Sequence, residues 1–275
     1  MKRQISMENK KMDFFIGPCV LESETLAMDI AGKLVEDLKE FEGRIQLHFK
    51  GSFDKANRSS IDSYRGPGID DGLKILEKVA KTYSLPTITD FHHPEQAEKI
   101  ASVVQTLQVP AFLCRQTDMI LAGAEACAKY NGQLKVKKGQ FLSPEETKNI
   151  VDKALNFLSK DKILLTERGT SFGYNNLVVD MASFQIMKSF GVRTIHDATH
   201  CVQRPGGLGT QTGGKREQIF TLAKAAVAAG ADGIFMECHP NPEKALSDSA
   251  TALPIDKVQS IVRKLIQIKD VVDGN

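Results

Sequence analysis

The chain has 275 residues, 41% of them apolar and 25% charged, and its 36 Lys and Arg against 34 Asp and Glu leave a formal charge of +2. That composition excludes disorder and low-complexity structure. The near-balance of charge gives no basis for a nucleic-acid or membrane-surface protein, both of which carry a basic excess. No stretch approaches 18 uncharged apolar residues, so no membrane span is expected.

The N-terminal MKRQISMENKKM is basic but lacks the apolar core of a signal peptide. Residues 1–12 are expected to be a flexible tail, and 13–275 a single domain. The first apolar run, Asp13–Cys19, predicts a strand. Ala27, Ile30, Ala31, Leu34, Val35 and Leu38 then fall at helical spacing. Ile45–Lys50 reads as the second strand and Leu73–Ala80 as its helix. Pro86–Phe91 is the third strand, with a helix opening at Pro94. Val109–Cys114 is the fourth, followed by a helix over Met119–Ala128, and Leu134–Lys138 is the fifth.

The sharpest local signal comes next. Ser143-Pro144-Glu145-Glu146 supplies an N-cap serine, proline at the first helical position and glutamate at the third. Ile150, Val151, Ala154, Leu155 and Leu158 line one face of the helix it opens. Ile163–Thr166 is the sixth strand, with its helix over Val179–Phe190. Val192–Asp197 is the seventh, with its helix over Gln218–Ala229. Gly233–Glu237 is the eighth, and Val258, Ile261, Val262, Leu265 and Ile268 give the closing helix.

Eight β-then-α units average about 34 residues each, the size of a βα repeat with its loops. The strands are near-continuous apolar runs, as parallel strands covered on both faces are. A single-domain α/β (β/α)₈ TIM barrel is the leading architecture. A doubly wound sheet is the rival, although Gly17-Pro18-Cys19-Val20-Leu21-Glu22 lacks the glycine pattern that a dinucleotide fold needs there.

In such a barrel the active site lies at the C-terminal strand ends. Those ends carry Cys19, Lys50, Asp90, Arg115-Gln116, Lys137-Lys138, Glu167-Arg168, His200 and Glu237. Lys50, Lys55, Arg58, Arg115, Lys138 and Arg168 would crowd one mouth. So many cations are stable together only around an anionic ligand, which Arg grips bidentately and Lys as a point charge. Cys19, His200, Glu237 and Asp248 form a second group. Thiolate, imidazole and carboxylate suit Zn²⁺, Fe²⁺, Mn²⁺ or Co²⁺ better than Mg²⁺, though a cysteine after Gly-Pro also reads as a small buried residue.

The five cysteines (Cys19, Cys114, Cys127, Cys201 and Cys238) are odd in number and form no CxxC pair. Free thiols in a reducing cytoplasm are expected. The loop over 201–217, with Gly206-Gly207 and Gly213-Gly214, is too long and glycine-rich for an ordinary βα turn; it reads as a lid or as a disordered segment.

Several runs together resemble the 3-deoxy-D-manno-octulosonate 8-phosphate synthases. They are Gly17-Pro18-Cys19-Val20-Leu21-Glu22-Ser23, Phe49-Lys50-Gly51-Ser52-Phe53-Asp54, and Lys55-Ala56-Asn57-Arg58-Ser59-Ser60. Pro110-Ala111-Phe112-Leu113-Cys114-Arg115-Gln116, Val136-Lys137-Lys138-Gly139-Gln140-Phe141, Glu167-Arg168-Gly169-Thr170, Asp197-Ala198-Thr199-His200 and Ala245-Leu246-Ser247-Asp248 continue the match over nearly the whole chain. The resemblance implies a (β/α)₈ barrel, usually a cytoplasmic homotetramer. It implies condensation of phosphoenolpyruvate with D-arabinose 5-phosphate, with release of phosphate, in lipopolysaccharide biosynthesis.

That family has a metal-dependent class and a class with Asn in place of the Cys ligand. With Cys19 present, and His200, Glu237 and Asp248 at the matching positions, the chain resembles the metal-dependent one. The resemblance further implies a phosphoenolpyruvate clamp of Lys55, Lys138 and Arg168, with Lys50, Ser52, Arg115 and Gln116 beside it. It implies a sugar-phosphate site of Asn57, Arg58 and Ser59, an acid near the sugar hydroxyls in Asp90, and a catalytic set of Cys19, Lys55, His200 and Asp248. Strand alternation lets only one of Lys137 and Lys138 face inward. Three rivals stay open: a heptulosonate synthase acting on erythrose 4-phosphate, a sialic-acid-type synthase, and a non-catalytic phosphosugar-binding barrel.

Overall fold

Each apolar run of the sequence finds a hydrogen-bonded neighbour on both sides. The computed structural model describes residues 11–58, 60–204 and 213–274. Among them, eight parallel strands close into a ring: β1 (Met12–Gly17), β2 (Ile45–Lys50), β3 (Thr87–Asp90), β4 (Thr106–Val109), β5 (Gln133–Lys137), β6 (Ile163–Glu167), β7 (Arg193–Asp197) and β8 (Gly233–His239). Closure comes from β1 lying parallel to β8, with Asp13 opposite Gly233 and Gly17 opposite Glu237. A Cβ on Gly17 would sit 1.9 Å from the Lys50 carbonyl oxygen, so only glycine lets the end of β1 run this close to β2.

Helices α1 (Glu24–Leu38), α2 (Ile69–Tyr83), α3 (Ala97–Ala101), α4 (Thr117–Lys129), α5 (Lys148–Ala154), α6 (Ser183–Lys188), α7 (Ile219–Ala228) and α8 (Val258–Asp273) cover the outside of the ring. In α1, the Ser23 hydroxyl accepts from the Leu26 amide at 3.1 Å, and Ala27, Ile30, Ala31, Leu34 and Leu38 are buried against the strands. The closing helix does the same with Val258, Ile261, Val262, Leu265 and Ile266. Inside the ring, Phe15, Ile88, Leu164, Ile195 and Phe235 form a separate apolar plug. No helix among the described residues is long and apolar enough to cross a membrane.

Boundaries differ from the sequence expectation where local chemistry intervenes. The fourth strand is Thr106–Val109, not Val109–Cys114. Pro110 has no amide to give the ladder, and the apolar run continues as a 3₁₀ turn over Ala111–Leu113. The sixth helix shrinks to Ser183–Lys188: Leu177–Val178 pairs back on Thr170–Ser171 as a small antiparallel hairpin, and a turn follows in which the Asp180 carboxylate accepts from the Ala182 amide at 2.9 Å. Met12 is buried in β1 and its amide donates to the Arg44 carbonyl, 3.0 Å away, so the ordered barrel starts one residue earlier than expected. Residues 1–10 of the expected tail lie outside the described residues. So do 205–212 of the expected lid, whose two ends are joined by an antiparallel pair, Gln203–Arg204 with Gly213–Gly214.

The capping box is formed. The Glu146 carboxylate accepts from the Ser143 amide at 2.9 Å, and the Ser143 hydroxyl accepts from the Glu146 amide at 3.4 Å. Ser143→Ala is expected to destabilise the fold by about 1 kcal/mol, a fall in Tm of about 2 °C. Thermal denaturation checks this; an unchanged Tm would show that the box adds nothing.

Candidate active site

The apolar plug decides what faces the barrel mouth. Side chains on one face of a strand recur every second residue. Inward Ile88, Ile195 and Phe235 are therefore followed by inward Asp90, Asp197 and Glu237 at the strand ends, and inward His48 and Lys135 by Lys50 and Lys137. Asp90, Lys137 and Glu237 thus open into one cup of about 1060 Å³, with Lys50 at its floor and Asp197 buried behind it, and the loops after the strands add Lys55, Asn57, Arg58, Arg168, His200, Gln203, Ser247 and Asp248.

A donor cluster lies at one side of the cup. One ligand atom each from Cys19, Glu237 and Asp248 lies within 4.8 Å of the others. The Cys19 thiol is 3.0 Å from Ser247 Oγ and 3.4 Å from Asp248 Oδ2. His200 Nε2 faces the same cluster, 3.5 Å from Glu237 Oε1 and 3.6 Å from Asp248 Oδ2. Its Nδ1 lies 2.9 Å from Asp197, a carboxylate–imidazole pair of the kind that aims the other nitrogen at a metal.

Glu237 Oε2 is fully buried and has no partner among the described residues. Burial, together with Asp248 and Glu237, pushes the Cys19 thiol far above its ordinary value. Burial alone would raise the two carboxyls, but Lys50 and His200 hold Glu237 down, and His200 and Lys55 hold Asp248 down. Two ionised carboxylates, an orphaned oxygen and a thiol kept protonated by its neighbours are what a soft-to-borderline divalent cation would resolve. The residues present fit such a group.

The cations lie beside this cluster. Arg168 is buried at 6% exposure, forms no ion pair among the described residues, and rests only on Gln203 Oε1 at 3.1 Å, with its Nη1 unpartnered. Lys55 lies 3.8 Å from Glu237. Burial works against its ammonium, but the Glu237, Asp90 and Asp248 carboxylates outweigh it and keep the group charged. Lys137 reaches Asp197 at 2.7 Å.

The structure separates the expected site residues into three groups. Cys19, Lys55, Asp90, His200, Glu237 and Asp248 come together in or beside the cup, with Asn57, Arg58 and Arg168 at its wall. Arg58 also ties its loop to the Asp248 loop, donating to Ser247 Oγ at 2.7 Å. Lys50 and Ser52 lie beneath as struts. Lys50 Nζ contacts Glu237 Oε1 at 2.5 Å and the carbonyls of Cys19 at 2.6 Å and Pro18 at 3.1 Å, so all three of its protons have partners. Ser52 donates to Asp90 Oδ2 at 2.6 Å.

Three expectations are corrected. Lys138 turns out of the cup; its Nζ packs between the barrel and the helices, 3.4 Å from Glu167 and 3.0 Å from Thr170, because Lys137 takes the inward position. Arg115 is exposed on the flank and pairs with Glu146 at 3.4 Å, lining a separate hollow with Asn149 and Asp152. Gln116 is exposed at the start of α4 for the same reason: β4 ends at Val109, so both residues lie past the rim. Ser59 lies outside the described residues.

Other cup residues were not singled out from the sequence. Asp197 holds His200 and Lys137, Gln203 joins Arg168 to Asp248, and Ser247 joins Cys19 to Arg58. Asp197 had a usable signal, since it lies two residues after inward Ile195. Gln203 and Ser247 sit on loops, where no period applies.

A family model described as the DAHP synthetase I family matches residues 2–273. The chain is similar to proteins named 2-dehydro-3-deoxyphosphooctonate aldolase. It is 48% identical to that of Syntrophotalea carbinolica over 267 residues, covering 97% of this chain and 94% of that one. It is 50% identical to that of Francisella tularensis subsp. holarctica over 261 residues (94% and 92%), and 49% identical to that of Delftia acidovorans over 271 residues (95% and 92%).

Proposed function

The chain belongs to the DAHP synthetase I family, and from that premise we propose that its cup condenses phosphoenolpyruvate with D-arabinose 5-phosphate and water. The products are 3-deoxy-D-manno-octulosonate 8-phosphate, a precursor in lipopolysaccharide biosynthesis, and inorganic phosphate. Relatives covering nearly the whole chain are named for the octulosonate reaction, which favours the five-carbon sugar over erythrose 4-phosphate. The observation that carries this function is the buried Arg168 guanidinium, which forms no ion pair among the described residues, in a cup it shares with Lys55 and Lys137. An anion completes that wall.

Arg168, Lys55 and Lys137 would hold the carboxylate and phosphate of phosphoenolpyruvate, and Asn57 and Arg58 the phosphate of the sugar, where the resemblance also implies Ser59. Asp90, kept ionised by Lys55 and Lys50 despite its burial, accepts from the sugar hydroxyls. Holding both substrates in a reactive approach can contribute about 7–11 kcal/mol. Carbon 3 of phosphoenolpyruvate bonds to the aldehyde carbon while water adds at carbon 2. One water proton ends on the former aldehyde oxygen. The other leaves as the carbon–oxygen bond to phosphate breaks and carbon 2 becomes a ketone. Cationic side chains around the cup stabilise the oxygen charge as it develops.

Cys19, His200, Glu237 and Asp248 would hold a divalent metal ion, Zn²⁺, Fe²⁺, Mn²⁺ or Co²⁺. When bound, it would polarise an oxygen and lower the proton affinity of its ligands. The assembly is a homotetramer; exposed Phe172 and Tyr174 on the 170–178 hairpin offer apolar surface that another copy would cover, and a monomer in sedimentation would oppose this. The enzyme works in the cytoplasm, where its five buried, unbonded cysteines stay reduced; a disulfide in the protein isolated from cells would oppose that.

The direct test is phosphate release from phosphoenolpyruvate with each aldose phosphate. Release with arabinose 5-phosphate at least tenfold faster than with erythrose 4-phosphate is expected, and the reverse preference would reject the assignment. Arg58→Ala should raise KM for arabinose 5-phosphate about 10- to 100-fold, the worth of a charged hydrogen bond, and leave KM for phosphoenolpyruvate within twofold. An unchanged sugar KM would remove Arg58 from that role.

A further inference from the structure

Lys135 is fully buried inside the barrel, two residues before Lys137 on the same face of β5. A buried lysine ordinarily has a carboxylate beside it. Among the described residues, Lys135 forms no such ion pair. Its Nζ lies 4.7 Å from the Phe235 ring centre and 5.4 Å from that of Phe15, and 2.7 Å from Gln108 Oε1. Burial, with Lys137 and Lys50 adding to it and Asp197 and Asp90 opposing, pushes the amine well below its ordinary value, and its one hydrogen bond among the described residues goes to the Gln108 oxygen.

The Gln108 amide has two ends of nearly the same shape, and its partners decide which way it turns. With its oxygen held by Lys135, Gln108 presents Nε2 to Asp90 Oδ1. The opposite turn would set an amide oxygen against an ionised carboxylate. Asp90 Oδ2 accepts from Ser52, so each carboxylate oxygen is fixed by a donor from beneath the cup.

We propose that Lys135 is a positioning residue for the sugar: from below the floor of the cup it sets the direction of the Gln108 amide and, through it, the orientation of Asp90. This rests on the reading that Asp90 faces the arabinose hydroxyls. Lys135 does not line the cup and bonds to none of the residues assigned to the phosphoenolpyruvate wall.

The test compares Lys135→Met, which keeps the length and apolar contacts, with Asp90→Asn and the double variant, measuring both KM values and Tm. Lys135→Met is expected to raise KM for arabinose 5-phosphate about tenfold, the worth of one neutral hydrogen bond. KM for phosphoenolpyruvate should stay within twofold and Tm should not fall. The double variant should be no worse than Asp90→Asn alone, as expected for two links of one chain. Gln108→Leu cuts the same chain one link nearer; it should reproduce the pattern and carries the test if Lys135→Met does not fold. If Asp90→Asn raises the sugar KM and Lys135→Met does not, Lys135 has no such role. Equal rises in both KM values would also overturn it, since they mark a structural disturbance. If Asp90→Asn leaves the sugar KM unchanged, the reading of Asp90 fails and this inference with it.

Discussion

Cys19→Ala is expected to abolish stoichiometric metal binding and to lower kcat about a thousandfold, or about 4 kcal/mol of transition-state stabilisation. The fold should survive. The Cys19 backbone is held by its carbonyl bond from Lys50, and the Ser247 hydroxyl that accepts from the thiol keeps its bond from Arg58. Chelator should take the parent enzyme to a similarly low rate and leave the variant unaffected. Cys19→Asn should retain chelator-insensitive turnover if the resemblance to a family with an asparagine class holds at this position. Metal content of the anaerobically purified proteins, read beside kcat with and without chelator, decides the matter. Full activity of Cys19→Ala, or of the parent enzyme stripped of metal, would refute the assignment.

Lys137 and Lys138 are expected to fail in opposite ways. Lys137→Met should lower kcat/KM for phosphoenolpyruvate about 100- to 1000-fold, since it removes a cation from the anion wall. Its effect on stability should be the smaller one, because Asp197 keeps its bonds with His200. Lys138→Met should leave kcat/KM within a fewfold and lower stability by about 3 kcal/mol. The reason is Glu167, fully buried beside it, whose carboxyl is raised by burial and loses its one ion-pair partner among the described residues. Steady-state kinetics and denaturant unfolding of both variants check the pair. A kinetic defect confined to Lys138→Met would reverse the assignment.

This pair also marks how far the sequence could be read. The alternation of short apolar runs with amphipathic segments was enough for the barrel, because parallel strands and their covering helices each have a fixed period. The resemblance located the donor set and most of the cup. Choosing between adjacent lysines needed the phase of β5, which a strand of five residues, three of them polar, does not reveal by itself. Arg115 and Gln116 were misplaced because apolar Pro110–Leu113 looks like strand, while the proline ends the ladder before it. Lys50 shows a different limit. Its sequence position is right for a ligand contact, but the neighbouring carbonyls and Glu237 use its protons, and only coordinates show that. The network through Gln203, Ser247 and Gln108 was invisible for a similar reason, since hydrogen bonds between residues far apart in the chain leave no periodic trace.

Ring closure between β1 and β8 has a consequence for biogenesis. Cys19 and Asp248 are 229 positions apart, and Glu237 enters beside Cys19 only when the last strand docks on the first. A nascent chain emerging from the ribosome therefore cannot assemble the four-donor pocket until Asp248 has been synthesised. A cation captured there would clasp the first strand of the ring to the last. It would stabilise the shut ring over any opened form by mass action, in proportion to the logarithm of free metal.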